Sequence, residues 1–440
     1  MPLLFPIETG NRETISKLFI ACKFAEKGYV SYIGTKIHIF NIIKYLKQPV
    51  YFDKGYHQGV SERIHNKIKE QNGIIVSLDE EIGVDLNDFS TLSKRFPEKA
   101  IKIFDLIFLW GTKQDKYLRE RRNNYNPKKV FVTGHPRFEL LRDKYQSLYS
   151  SMVEDIKSKY GKYILINTNF GFGNNLLGDD FVIKNYLDRV PNIKEHIQYE
   201  KCQLNHFIEL IKDLQNFFKM NIVIRPHPEE DNYTYIEKLN KYNNVFIKYE
   251  KSAIPWILGC EVMIHHSCTT ALEAVMLEKT PISYIKDVDE KLIPWIPLKI
   301  SLKFSKSLEI IELIEKGKYK NVNSTKNNRQ ILSDYFSFFN NTTDQIIEEC
   351  DKLFKTKDYQ NHQQLRGLLY YSIKSKSKVI IKRLLKYLYK SNDNKLGSQK
   401  RKGFDINTIN NLLYELKKNK FIDRDIKINA INELLFKVYK

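Results

Sequence analysis

Residues 163–173 read Tyr-Ile-Leu-Ile-Asn-Thr-Asn-Phe-Gly-Phe-Gly, a short apolar run that breaks into polar and glycine residues. A parallel strand buried on both faces gives way to its carboxyl-end loop in this manner. The rhythm continues with predicted strands at Asn221–Ile224, Val245–Lys248, Val262–His265 and Pro281–Tyr284, and helices at Leu204–Phe218, Tyr233–Tyr242 and Thr269–Leu277. The same rhythm has already run once. Leu3–Ile7 reads as a strand, Thr9-Gly10-Asn11 as a loop, Ile15 to Ala25 as a helix of period 3.6 and Val30–Ile33 as a second strand, with further strands at Ile74–Leu78, Leu106–Trp110 and Val130–Val132. The polar helix-like stretch Arg142–Tyr160 separates the two runs. The chain is therefore α/β, with doubly wound Rossmann-like domains at 1–150 and 151–345. Beyond about 345 no strand rhythm is visible, and 346–440 is predicted to be a basic α-helical extension.

Composition narrows the class. A chain of 440 residues with 42% hydrophobic and 13% aromatic content can bury two cores, and no stretch reaches the length of apolar residues that a membrane span needs. The opening MPLLFPIETGNRE does not read as a secretory signal, so the expected location is cytoplasmic. The five cysteines, Cys22, Cys202, Cys260, Cys268 and Cys350, lack ligand spacing, which supports neither a disulfide framework nor a zinc site. Formal charge is +20, and residues 361–440 hold 19 Lys+Arg against 6 Asp+Glu. Leu365–Lys390 alone carries eight Lys/Arg and no acid among apolar residues, which reads either as a helical face packed on the body or as a contact with an anionic membrane surface or acidic glycan. No nucleic-acid motif accompanies the charge, so no nucleic-acid partner is expected.

Four blocks at strand ends carry candidate chemistry. In Ile224-Arg225-Pro226-His227-Pro228-Glu229-Glu230, Arg225 and His227 sit where the carboxyl end of a strand would meet a phosphate, and the prolines, Pro228 among them, set the direction of His227. In Ile264-His265-His266-Ser267-Cys268-Thr269-Thr270-Ala271-Leu272-Glu273, the hydroxyls of Ser267, Thr269 and Thr270 could cap a helix whose N–H groups face an anion, with Glu273 one turn in; an ordinary capping box reads the same way. The run Asp79-Glu80-Glu81 before Ile82-Gly83 could supply a general base. Gly134-His135-Pro136-Arg137 could meet phosphate through Arg137 or be an interdomain turn. Asn169 and Gly171, in the loop after Ile166, complete the candidate donor-binding set with His135 and His266.

In order, the blocks PIET…R, LDEE(x)G, GHPRFELL, INTNFG, RPHPEE and HHSCTTALEA resemble those of bacterial surface-carbohydrate (capsule and lipopolysaccharide) biosynthesis proteins over about residues 3–285. More distantly, the acid, His-Pro and Ser/Thr trio is similar to the motifs of CMP-sialic acid and CMP-Kdo dependent transferases of the GT-B type, two Rossmann-like domains facing a cleft. The resemblance implies a metal-independent glycosyltransferase without a cofactor, using a CMP-sugar donor and a glycan or glycolipid acceptor. Asp79 or Glu80 would be the base, His227 the phosphate partner, and Ser267 with Thr269 the hydroxyl clamp. The Gly-x-Pro-Arg block, the His-Pro block and the Ser-rich turn also resemble those of CDP-glycerol and CDP-ribitol polymer transferases; a UDP-sugar 2-epimerase and a non-catalytic glycan-assembly scaffold are the further alternatives.

Overall fold

In the computed structural model the residues described are 1–81, 90–188, 190, 192–320, 322–333, 335–338, 340–357, 367–377 and 395–440. Gly83 of the acidic block and most of the basic stretch 365–390 lie outside them; of the latter, 367–377 is helical.

The first sheet holds β1 (Pro2–Ile7), β2 (Val30–Thr35), β3 (Val50–Asp53), β4 (Ile74–Leu78), β5 (Leu106–Leu109) and β6 (Val130–Val132), in the parallel order β2-β1-β3-β4-β5-β6. The second holds β7 (Tyr163–Asn167), β8 (Asn221–Arg225), β9 (Val245–Ile247), β10 (Val262–His265), β11 (Pro281–Tyr284) and β12 (Leu302–Phe304), in the order β12-β11-β10-β7-β8-β9. All of its pairs are parallel. Strands β1, β3, β4, β5 and β7 are buried along their whole length, as their unbroken apolar runs require. Each sheet has a point where the strand order reverses, between β1 and β3 in the first and between β7 and β10 in the second. In open sheets of this kind, ligands enter the crevice at the carboxyl ends of those strands.

The end of the chain departs from the all-helical extension expected for 346–440. The helix Thr342–Lys355 packs on the first lobe, with Tyr29 donating to Asp351 at 2.6 Å and Thr342 to the Thr133 carbonyl at 2.7 Å. Strands β13 (Lys427–Asn432) and β14 (Leu435–Tyr439) then form an antiparallel hairpin, and β14 joins β2, so the first sheet has eight strands in the order β13-β14-β2-β1-β3-β4-β5-β6. Leu435, Phe436 and Val438 are completely buried and cover what would otherwise be an open edge. A contiguous apolar cluster runs from Phe5 and Leu18 through Phe138 and Tyr149 to Trp256 and Leu272, joining both lobes. Among the described residues no helix is long and apolar enough to cross a membrane.

Candidate active site between the two sheets

Arg225, Asn167 and His265 are the last residues of neighbouring strands and stand in register across the carboxyl edge of the second sheet. Beyond Asn167 and Arg225 the loops are tied together by Glu230, whose carboxylate accepts from Thr168 Oγ1 at 2.7 Å, from the N–H of Phe170 at 3.1 Å and His227 at 2.8 Å, and from Tyr235 at 2.5 Å. His227 Nδ1 accepts the N–H of Glu229 at 3.3 Å, so the ring proton sits on Nε2. Among the described residues nothing accepts from that Nε2. Burial lowers the imidazole pKa, leaving a neutral ring with one N–H to offer. Gly171 permits this placement, because a Cβ there would lie 2.9 Å from His227 Nδ1. Asn169 is half-buried in the same loop, and Pro228 follows His227 on its rim.

Arg225 differs from its expected role as a free phosphate fork. Two of its nitrogens donate to the carbonyls of Glu250 at 2.8 Å and Lys251 at 3.1 Å, and it lies 5.4 Å from the Trp256 ring centroid. Burial lowers its pKa to about 10. It fixes the loop after β9 and has only its remaining N–H groups for a ligand.

The hydroxyl-rich turn also differs. The helix starts at Thr270 with Thr269 already in helical geometry, and no side chain caps it. Ser267, at a left-handed φ of 40°, donates instead to the Pro294 carbonyl at 2.8 Å, and Thr270 accepts from Asn167 Nδ2 at 3.0 Å. The Cys268 N–H is taken by His265 Nδ1 at 3.1 Å. His266 is buried among Phe170, Phe207 and Tyr199, and this burial drops its pKa to about 3.

In the first lobe the three acids have separate fates. Asp79 is held by Arg95 through both carboxylate oxygens, one of them at 2.8 Å, and its burial raises its pKa. Glu80 is fully buried with Lys17 Nζ at 2.7 Å, His135 Nε2 at 3.6 Å and Arg137 at 3.9 Å. Burial would raise the Glu80 carboxyl, but the Lys17 and Arg137 cations and the His135 ring together outweigh it and hold it well below the usual range. Neither acid presents a free carboxylate to the cleft, against the expectation that one of them is the base. Glu81 is the accessible one of the three: its side chain is 34% exposed and pairs with Arg12 at 3.0 Å, and the Arg12 charge holds it below the usual carboxylate range.

The two carboxyl edges face each other. Arg137, after β6, lies 3.7 Å from Glu273, after β10, so the GHPR and HHSCTTALEA blocks meet with Arg137 between Glu80 and Glu273. Burial raises the Glu273 pKa. Asn11, after β1, donates to the Tyr249 carbonyl, after β9, at 2.8 Å. Next to Asn11, the Arg12 guanidinium pairs with Glu81 and Glu13, and its charge reaches His227 and Glu273 of the other lobe.

The wall teichoic acid polymerase TagF superposes with a TM-score of 0.53 at 11% identity, covering 82% of this chain and 90% of that one. The chain has a GT-B-like fold. A second TagF structure, an H444N form soaked with CDPG, gives a TM-score of 0.51 at 10% identity over 82% of this chain and 90% of that one. S. aureus MnaA with UDP gives 0.49 at 12% identity, over 82% of this chain and 99% of that one. No known family profile and no curated protein matches the sequence.

Within this GT-B-like frame, sequence reasoning passed over Arg12, Lys17, Arg95 and Glu230. Arg12 closes the PIET…R block and Glu230 the RPHPEE block, so a signal for each was present. Lys17 had none beyond its place on the inner face of the helix Gly10–Glu26, where it is 1% exposed. Chemically, the cleft offers an imidazole N–H from one lobe, and a guanidinium and an ionised carboxylate from the other, which together suit an anionic leaving group and a proton to be removed.

Proposed function

We propose that the chain is a glycosyltransferase that moves an acidic sugar, nonulosonic or Kdo-type, from a CMP-activated donor to a hydroxyl of a surface polysaccharide or lipopolysaccharide. The observation that carries this reading is a direction-fixed His227 N–H within electrostatic reach of Arg12, which pairs with Glu81 in the opposite lobe. In this scheme the donor phosphate lies at the β7–β10 switch point, within reach of His227 Nε2 and Arg12. Glu81 takes the place of Asp79 and Glu80 as base. It accepts the acceptor hydroxyl proton while the new carbon–oxygen bond forms and the bond to the phosphate oxygen breaks. CMP departs with its charge met by the His227 N–H and Arg12, and inversion at the anomeric carbon is expected. The Arg12–Glu81 contact adds a coupling: phosphate drawing Arg12 away would relieve the depression of the Glu81 pKa as the acceptor arrives. The scheme needs no metal or cofactor.

The test is a thermal-shift screen with CMP, CDP, UDP and GDP followed by a donor assay. CMP should raise the melting temperature most. His227→Ala should keep the wild-type fold and lose transfer and CMP release by roughly 10²-fold or more; near-normal turnover in that variant rejects the assignment.

The likeness to TagF favours one second reading, transfer of a polyol phosphate from CDP-glycerol or CDP-ribitol. That reaction also releases CMP, so nucleotide binding alone does not separate the two readings. Consumption of CDP-glycerol with CMP-sugars untouched would select the second. We also infer attachment to the inner face of the cytoplasmic membrane through the basic C-terminal region, supported by exposed Leu369, Tyr370 and Ile373 beside Lys374 and Lys376. Replacing both lysines with Glu should weaken pelleting with anionic liposomes.

A further inference from the structure

Residues 399–404 touch both halves of the site. On the second lobe, Lys400 Nζ lies 2.7 Å from Glu229 Oε1, a carboxylate that also accepts from Tyr186 at 3.0 Å. Gln399 Nε2 donates to the Glu230 carbonyl at 3.4 Å. Glu229 and Glu230 are the two residues that fix His227, one through its N–H on Nδ1 and the other through its carboxylate on the His227 N–H. On the first lobe the same segment presses against the turn that carries Arg12. A Cβ on Gly10 would lie 2.3 Å from the Lys402 carbonyl oxygen and 2.9 Å from that of Arg401, and Thr14 donates to the Gly403 carbonyl at 2.9 Å. Phe404, 1% exposed, packs edge-on to Phe436 of β14 at 5.3 Å and anchors the segment in the first lobe.

We propose that residues 399–404 form a positioning strap: Lys400 and Gln399 aim His227 into the cleft, and the backbone of 401–404 sets its separation from Arg12. Lys400 is thus a positioning residue that acts through Glu229. The functional meaning of the strap rests on the reading of His227 as the phosphate contact, whereas the positioning itself does not.

The charges acting on the His227 ring are those of Glu229 and Glu230 from its own loop, Lys400 from the strap and Arg12 from the first lobe. Lys400→Gln removes a cation and releases the Glu229 carboxylate, and both changes favour the protonated ring. The experiment is a pH titration of the His227 ring signal in full-length, ¹³C-histidine-labelled protein, assigned by its loss in His227→Gln. Lys400→Gln should raise the midpoint by roughly half a pH unit or more, and Lys400→Arg should return it to the wild-type position. An unchanged midpoint in folded Lys400→Gln overturns the proposal. Should that variant not fold, Gly10→Ala, which displaces the strap from the opposite side, takes its place with the same expected rise. Calorimetry with CMP provides the second arm: Lys400→Gln should weaken binding about tenfold, with recovery in Lys400→Arg. Wild-type protein that binds no CMP defeats the donor reading, while the titration still decides the strap.

Discussion

Three histidines at strand ends share one local device. His135 Nδ1 accepts the Arg137 N–H at 3.1 Å, His227 Nδ1 that of Glu229 at 3.3 Å, and His265 Nδ1 that of Cys268 at 3.1 Å. In the two His-Pro blocks the proline has no N–H, so the first one able to reach back belongs to the residue after it. Each ring thereby keeps its proton on Nε2. For His135 that nitrogen is buried 3.6 Å from Glu80, and for His265 it meets Ser301 at 2.8 Å, which leaves His227 as the one of the three that is not fully buried. The His-Pro spacing was legible in the sequence; which of the rings would face a ligand was not, because that depends on partners more than thirty residues away. Two outcomes follow at this scale. Gly171→Ala places a methyl against His227 Nδ1 and should cost on the order of 10²-fold in transfer, with the melting temperature unchanged. Lys17→Met leaves Glu80 buried without its nearest cation and should cost about 3–5 kcal/mol, read from the urea midpoint.

At the scale of elements, the parallel strands announced themselves as unbroken apolar runs, whereas the terminal hairpin did not. Its connection, Glu433-Leu434, carries neither the Gly nor the Asn that marks a two-residue turn, and β14 matters only as a neighbour of β2, four hundred residues earlier in the chain. Removing 427–440 should expose the β2 edge and the apolar surface under Leu435, Phe436 and Val438, and light scattering should show aggregation at concentrations where the intact chain stays monodisperse. The helix Ile193–Phe217 carries a second element-scale consequence. Glu200 accepts the N–H groups of Phe172 at 2.7 Å and Gly173 at 2.8 Å, and burial pushes its pKa up to about 8. The folded state therefore holds this proton where the unfolded chain has lost it. The stability it provides is complete below the ordinary carboxylate value and falls as pH rises towards 8. Glu200→Gln should melt close to wild type at pH 5 and above it at pH 8; equal melting temperatures at both would contradict the shift.

Across the whole molecule, function rests on two carboxyl edges brought face to face. No local window of sequence states that Asn11 reaches Tyr249, that Arg137 lies against Glu273 or that Lys400 reaches Glu229, although Asn11, Arg137, Glu273 and Glu229 each stand in a block readable in isolation. The Asp-Glu-Glu block shows the limit most clearly. Its position at a strand end was legible, while the assignment of Asp79 to Arg95, Glu80 to Lys17 and Glu81 to Arg12 is set by cations from two other segments, the helices Ser90–Arg95 and Gly10–Glu26. The most direct test is calorimetric titration of CMP into the wild type, Arg12→Met, His227→Ala and the double variant, one residue from each lobe. Each single change should weaken binding roughly tenfold, and the double change should cost less than the two together because both groups act on one phosphate. Wild-type affinity for CMP in Arg12→Met would contradict a site shared between the lobes.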